Sequence, residues 1–306
     1  MPEQQETPHL SYGIAPPKFR LPGATHVGAV RLQVSSLRRS IKYYEHVLGL
    51  RVYNASTETA TLGPQGDDRA LVILQSESEA TSAQRGAFGL YHFAILLPTR
   101  ALLGRFAAHL SKLGVRVAMA DHLVSEALYL WDPDGLGIEV YADRPQDRWR
   151  QHDRELAMTT DPLDFESLIA AGAGDTWKGA PSGTTMGHVH LHVGSLEAAE
   201  AFYHRAMGFD KTVWSYPGAL FLSAGGYHHH LGTNIWSPGP RPSPAQAQLL
   251  EWEIIVPADD DVAAVQRSLK DAGYQAEEAV GGLTAVDPWG TAVRIGTGPA
   301  VRPKGI

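Results

Sequence analysis

The chain has 306 residues, 43% hydrophobic and 19% charged, enough for two domains with sizeable cores. Its formal charge of -7 at pH 7 argues against broad nucleic-acid or anionic-membrane binding, and no apolar run nears the ~18 residues of a membrane helix. It has no cysteine, which excludes disulfides, thiolate metal sites and cysteine nucleophiles; a metal would have to sit on His, Asp or Glu, and there are 14 histidines.

In chain order, residues 1–25 form an N-terminal arm without the apolar h-region of a secretory leader, so the expected location is cytoplasmic, with the arm flexible or clasping. Residues 30–50, VRLQVSSLRRSIKYYEHVLGL, read as an alternating strand, a Ser36 cap, an amphipathic helix bearing Tyr44, and a stop at Gly49. Short strands are expected at 51–53, 60–62 and 70–75. The unit recurs at 91–114, with a Thr99 cap and Gly114. It recurs again at 189–209, VHLHVGSLEAAEAFYHRAMGF, with Ser195, Tyr203 and Gly208 at an offset of 159 from the first copy. A fourth copy spans 250–273, with an Asp-rich cap and Gly273. Gly49 to Gly114 and Gly208 to Gly273 are both 65 residues. The chain is therefore four strand–helix–three-strand modules.

Between modules two and three, residues 143–186 begin polar, carry a short helix at 164–171 and end Gly/Ser-rich. Extended, they would span on the order of 100 Å, so which modules pair is open. SPGPRPSP at 237–244 reads as an extended Pro-rich linker between modules three and four.

Residues 121–145, DHLVSEALYLWDPDGLGIEVYADRP, contain the chemically odd residue. Two short strands flank a turn at Asp132-Pro133-Asp134-Gly135, and Glu139 lies among Gly137, Ile138, Val140 and Tyr141. A carboxylate there is costly unless a cation or donor meets it; the alternative is an exposed strand edge. Aligned across modules one to four, one leading-strand position holds Ala29, His92, His188 and Glu251. The closing strand after each Asp-Pro turn holds Glu139 in module two and Arg294 in module four, and Arg294 cannot ligate a metal.

These features resemble the vicinal oxygen chelate (glyoxalase/bleomycin resistance/dioxygenase) superfamily, and the repeat covers nearly all of 26–297. His122, Leu128, Tyr129, Asp132, Pro133, Gly135 and Glu139 match the signature of type I extradiol dioxygenases of the catechol 2,3-dioxygenase kind, with Ala120 a minor departure. The resemblance implies an α+β fold whose four βαβββ modules form two half-barrel (cup) pairs. The expected organisation is the arm 1–25, a first domain 26–142, the connecting segment 143–186, a second domain 187–298 and a tail 299–306.

In that family a metal is held by a His from each of two leading strands and a Glu from one closing strand. Pairing module one with two, or three with four, leaves the set incomplete, whereas modules two and three supply His92, Glu139 and His188. Modules one and four would then form a metal-free half. A competing set is His188, one of His228, His229 and His230, and Glu251. The implied metal is Fe(II), with Mn(II) or another divalent metal as alternatives. The implied partners are a small aromatic diol and O2, in a homo-oligomer that binds neither nucleic acid nor membrane. One of His228, His229 and His230 takes the acid–base role, and His122 and Tyr129 bond the ligated oxygens. If the cluster 228–230 is a strand, His228 and His230 share a face opposite His229. His190 and His192 share the face of His188 on an ideal strand, Trp131 and Trp289 read as core or interface, and His204 as a surface or helix-face residue.

The function implied is extradiol ring cleavage. The alternatives are another divalent-metal enzyme on the same scaffold, such as a glyoxalase-like isomerase or a conjugating enzyme, or a metal-free small-molecule binding protein.

Overall fold

The computed structural model describes residues 12–77, 79–237 and 239–298. The first eleven residues of the arm, Pro238 of the Pro-rich linker and the tail 299–306 lie outside the described residues. All four modules are present, and each helix follows its local signals. Ser36 caps Leu37–His46 by accepting from Arg39 N, and Thr99 caps Arg100–Leu113 by accepting from Leu102 N. Gly114, at φ 68°, ends the second helix in the left-handed conformation that glycine adopts without steric cost. The third helix starts at Ser195 and widens into a π-helical stretch, Glu200–Ala206. In the fourth, Asp259–Asp271, the cap is Ala258, whose amide donates to Asp261 in the first turn.

The strands form two eight-stranded mixed sheets, one joining the first and last modules and the other joining modules two and three across the long connecting segment. In the first, the leading strand of module one, His26–Val34, pairs antiparallel with that of module four, Gln248–Ile255. In the second, module two's Gly89–Leu96 pairs antiparallel with module three's Thr185–His192, placing His92 opposite His190 and Ala94 opposite His188. Within module two, the leading strand runs parallel to the closing strand Gly137–Asp143, which sets Ala94 beside Glu139. The second sheet forms a half-barrel around a cavity. Each sheet thus takes one module from the segment 26–142 and one from 187–298.

The two sheets share a core that includes Leu32, Tyr44, Phe93, Tyr203 and Trp252. Burying each such side chain contributes ~1.5–3 kcal/mol. Modules one and two, and modules three and four, meet here instead of in a shared sheet. The module-one helix sends the Tyr44 hydroxyl to Asp132 in the module-two turn (3.3 Å), and the module-three helix sends Tyr203 to Asp287 in the module-four turn (2.8 Å). The aspartate in each Asp-Pro turn also accepts backbone N–H groups, Asp132 from Asp134 and Leu136, Asp287 from Trp289 and Thr291.

The connecting segment is more structured than its composition suggests. The helix forms at Phe165–Ala171, capped by Asp164, and a two-stranded hairpin at Gln151–His152 and Glu155–Leu156 precedes it. The described part of the arm clasps module three: Ile14 bridges to Lys211, and the Tyr12 hydroxyl donates to Gly226 O at 2.7 Å. No helix among the described residues is long and apolar enough to cross a membrane.

Candidate metal centre

At the seam between modules two and three, His92, Glu139 and His188 converge, with one potential ligand atom of each within 4.8 Å of the others. All three are buried, at 5%, 2% and 2% exposure, so Glu139 is an interior carboxylate and not an edge residue. His92 Nε2 lies 3.0 Å and His188 Nε2 3.2 Å from Glu139 Oε2. Two glycines make this approach possible. Gly187 sits at a register shift of the leading strand, and a Cβ there would fall 1.8 Å from the Tyr141 hydroxyl, which packs beside His188. A Cβ on Gly137 would fall 2.0 Å from Tyr91 O, forcing the Glu139 strand away from His92.

The electrostatics suit a cation. Burial raises the Glu139 carboxyl, but His188 and then His92 outweigh that and hold it well below the usual carboxylate range. Burial pushes the His92 and His188 imidazoles down, and Glu139 offsets part of the shift. The triad is therefore one carboxylate and two neutral rings, a buried anionic set. His92 Nε2 and His188 Nδ1 have no hydrogen-bond partner among the described residues, although His92 Nε2 lies within ionic range of Glu139. An interior anion with misaligned, unsatisfied imidazole nitrogens fits a divalent metal bound by two His and one carboxylate.

The triad lines a cavity of about 390 Å³ together with His122, Tyr129, His190 and His229. His122 stands in a turn where Leu123 takes φ 68°, a conformation that costs ~1 kcal/mol or more for a non-glycine residue. Its Nδ1 donates to Thr159 O at 2.6 Å, because a carbonyl only accepts. In the neutral ring Nε2 is then the acceptor, and the Tyr129 hydroxyl, 2.6 Å away, donates to it. Burial, and then Glu139, push the Tyr129 hydroxyl well above its ordinary value, so it remains a donor.

The 228–230 cluster is a loop between Ala219–Ser223 and Leu231–Asn234, not a strand, and strand alternation does not apply to it. The double glycine at 225 and 226, both at positive φ, turns the chain before it. His229 lines the cavity, its ring centroid 4.0 Å from that of His188. His228 lies behind it against Asp143, and His230 bonds toward Ser223 and Ala224, neither of them in the lining. Burial, reinforced by neighbouring histidines, holds the His229 imidazole well below its ordinary value.

Glu251 belongs to the other sheet and pairs loosely with Arg31, so the competing set His188, His228–230 and Glu251 does not assemble. In the other sheet, Arg294 at the Glu139 position is buried against Glu253 at 3.5 Å, and Glu253 also accepts from Ala29 N. A built-in guanidinium supplies the cation there. His190 lines the cavity and His192 does not; Asn234 donates to His190 and accepts from His192. Trp131 is 56% exposed at the cavity rim and so is not core. His204 is buried, donating to Phe209 O. Residues with no sequence signal complete the wall: Met158, Thr159 and Thr160 from the connecting segment, and Tyr91, Met119, Tyr216, Phe221 and Trp236.

The chain matches the family profile described as the glyoxalase/bleomycin resistance protein/dioxygenase superfamily at residues 25–140 and 185–292. It is 42% identical over 270 residues to a catechol-2,3-dioxygenase from Bacillus subtilis (strain 168), covering 86% of this chain and 94% of that one. Among solved structures, a candidate dioxygenase from Bacillus subtilis aligns with TM-score 0.64 at 14% identity, over 92% of this chain and 87% of that chain. Glyoxalase I from Zea mays aligns with TM-score 0.51 at 19% identity, over 89% and 92%. At those identities the two structures speak for the fold alone.

Proposed function

The chain belongs to the glyoxalase/bleomycin resistance protein/dioxygenase superfamily, and within it we propose an extradiol ring-cleaving dioxygenase that inserts O2 into a catechol-type aromatic at a mononuclear Fe(II). The observation that carries the proposal is the buried His92–Glu139–His188 set at the wall of a cavity that also holds His122, Tyr129 and His229. The chain is a homologue of catechol-2,3-dioxygenase over most of its length.

His92, Glu139 and His188 would hold the iron. When bound, Fe(II) would supply Lewis acidity to the diol and a redox path between diol and O2. The remaining tasks fall to side chains. His229, in the cavity lining beside His188, is placed to accept a proton from a substrate hydroxyl and to return it later. Tyr129, kept protonated by burial and Glu139 and held by its bond to His122, turns its hydroxyl oxygen to the cavity as an acceptor for a substrate hydroxyl. The aromatic and methionine wall excludes water from the reacting ring. Among the described residues the lining contains no Lys or Arg to neutralise a carboxylate substituent, and uncharged catechols suit it best.

The isomerase alternative draws less support, because the metal-ligand group found among the described residues contains a single carboxylate. The deciding assay is anaerobic loading with Fe(II), then catechol and air. A yellow ring-fission product is expected. Metal uptake without turnover would favour another metalloenzyme of the scaffold, and failure to bind any divalent metal would leave a binding protein. Within the first outcome, His229→Gln is expected to lower kcat by ~10²-fold or more, the scale of a lost general base, with iron content unchanged. Iron content that falls together with kcat would instead make His229 a ligand.

A further inference from the structure

Behind the cavity wall lies a buried polar chain that ring cleavage, as described above, leaves without a role. His228 is 0% exposed and stands between His229 and Asp143. Its Nε2 is 2.9 Å from Asp143 Oδ1, and its Nδ1 is 2.7 Å from Nδ1 of His229. The same Asp143 oxygen accepts from the Tyr227 hydroxyl at 3.2 Å, and Tyr227 is 2.6 Å from the Tyr141 hydroxyl.

The direction of each bond follows from what each atom can do. A carboxylate oxygen only accepts, so His228 Nε2 carries a proton. With that proton as the ring's single one, His228 Nδ1 accepts, and the bond to it is donated by His229 Nδ1. With its own proton on Nδ1, His229 keeps a lone pair on Nε2. That nitrogen has no partner among the described residues, and the ring belongs to the cavity lining. Sequence alone could not supply this, because Asp143 closes module two and His228 sits in a module-three loop. Only the pairing of modules two and three brings them together.

We infer that Asp143 and His228 are positioning residues that fix His229 as the Nδ1–H tautomer, presenting its Nε2 lone pair to the substrate hydroxyl. The use of that lone pair rests on the ring-cleavage reading; the tautomer does not. In the step concerned, the substrate O–H bond breaks and an Nε2–H bond forms. The electron pair stays on the substrate oxygen, and the positive charge arises on His229. Asp143, one imidazole away, stabilises that charge without taking the proton, as the carboxylate does in a Ser-His-Asp triad.

The test pairs a spectrum with kinetics. Histidine-selective ¹⁵N–¹H long-range correlation on the full-length chain without added iron distinguishes protonated from bare ring nitrogens, with the His229 signals assigned by their loss in His229→Gln. The expected result is a bare Nε2 on His229 in the unmutated chain, and partial protonation of it in Asp143→Ala and His228→Phe. In the iron-loaded enzyme, Asp143→Ala should lower kcat by ~10²-fold while KM for catechol changes little, and Asp143→Glu should recover most of the loss. A protonated Nε2 in the unmutated chain would overturn the inference, as would an Asp143→Ala enzyme with the original kcat and tautomer. The unmutated spectrum decides even if a variant fails to fold. A bare Nε2 in a protein without ring-cleaving activity would sink the proposed function and leave the tautomer assignment standing.

Discussion

Glu139→Ala is expected to reduce ring cleavage to background, more than about 10³-fold, and to abolish stoichiometric iron binding. The carboxylate is the one anion of the set, and without it two neutral imidazoles face a divalent cation in an interior that otherwise offers it no charge. Stability of the iron-free chain should respond differently. Removing Glu139 leaves no buried charge behind, because burial lowers the pKa of both histidines and they need not be protonated. Melting of the iron-free variant should therefore stay close to that of the parent, and the loss should appear in metal analysis and turnover. An active Glu139→Ala enzyme would contradict the assignment of the ligand set.

Arg294→Ala should give the opposite pattern. Arg294 occupies the place of Glu139 in the other sheet, and its guanidinium donates to the carbonyls of Val280, Gly281 and Gly298 while facing Glu253. Both side chains of that pair are nearly inaccessible, at 4% and 3%. Truncating the arginine removes the guanidinium beside buried Glu253 and frees three carbonyls, which typically costs ~3–5 kcal/mol. At ~2–4 °C per kcal/mol for a chain of this size class, thermal melting should drop by roughly 10 °C. Iron content and kcat per folded molecule should be unchanged, because the residue lies in the other sheet. Replacing Arg294 and Glu253 together by apolar residues of similar volume should recover much of the stability. A loss of iron in Arg294→Ala would show that the halves are not chemically independent.

The sequence showed its modules because each one repeats local signals: a hydroxyl cap, an amphipathic helix and a terminal glycine at fixed spacing. Ser36, Thr99, Gly114 and Asp164 do in the structure what their types favour. Duplication also made the triad legible. Comparing equivalent positions separated His92, Glu139 and His188 from Ala29, Glu251 and Arg294, and only one pairing of modules completed a set. Local rules failed where tertiary context decides. The double glycine before His228 breaks the strand that three consecutive histidines suggested, so His229 alone of the three enters the lining. Trp131 looked like core because it is large and apolar, but it closes a strand at the rim of a cavity. Met158 to Thr160 come from a connection without periodicity, held in place by the Asp121–Asp161 bridge and the bond from His122 to Thr159. Asp143 carried no signal at all until its strand was placed beside module three.

The central claim is that one metal sits where modules two and three meet. The most direct measurement is an anomalous difference map at the iron edge from crystals of the Fe(II)-loaded protein. A single peak bonded to His92, Glu139 and His188, with none in the half that holds Arg294, is the predicted result. A peak bonded to Glu251, or one that omits Glu139, would contradict it.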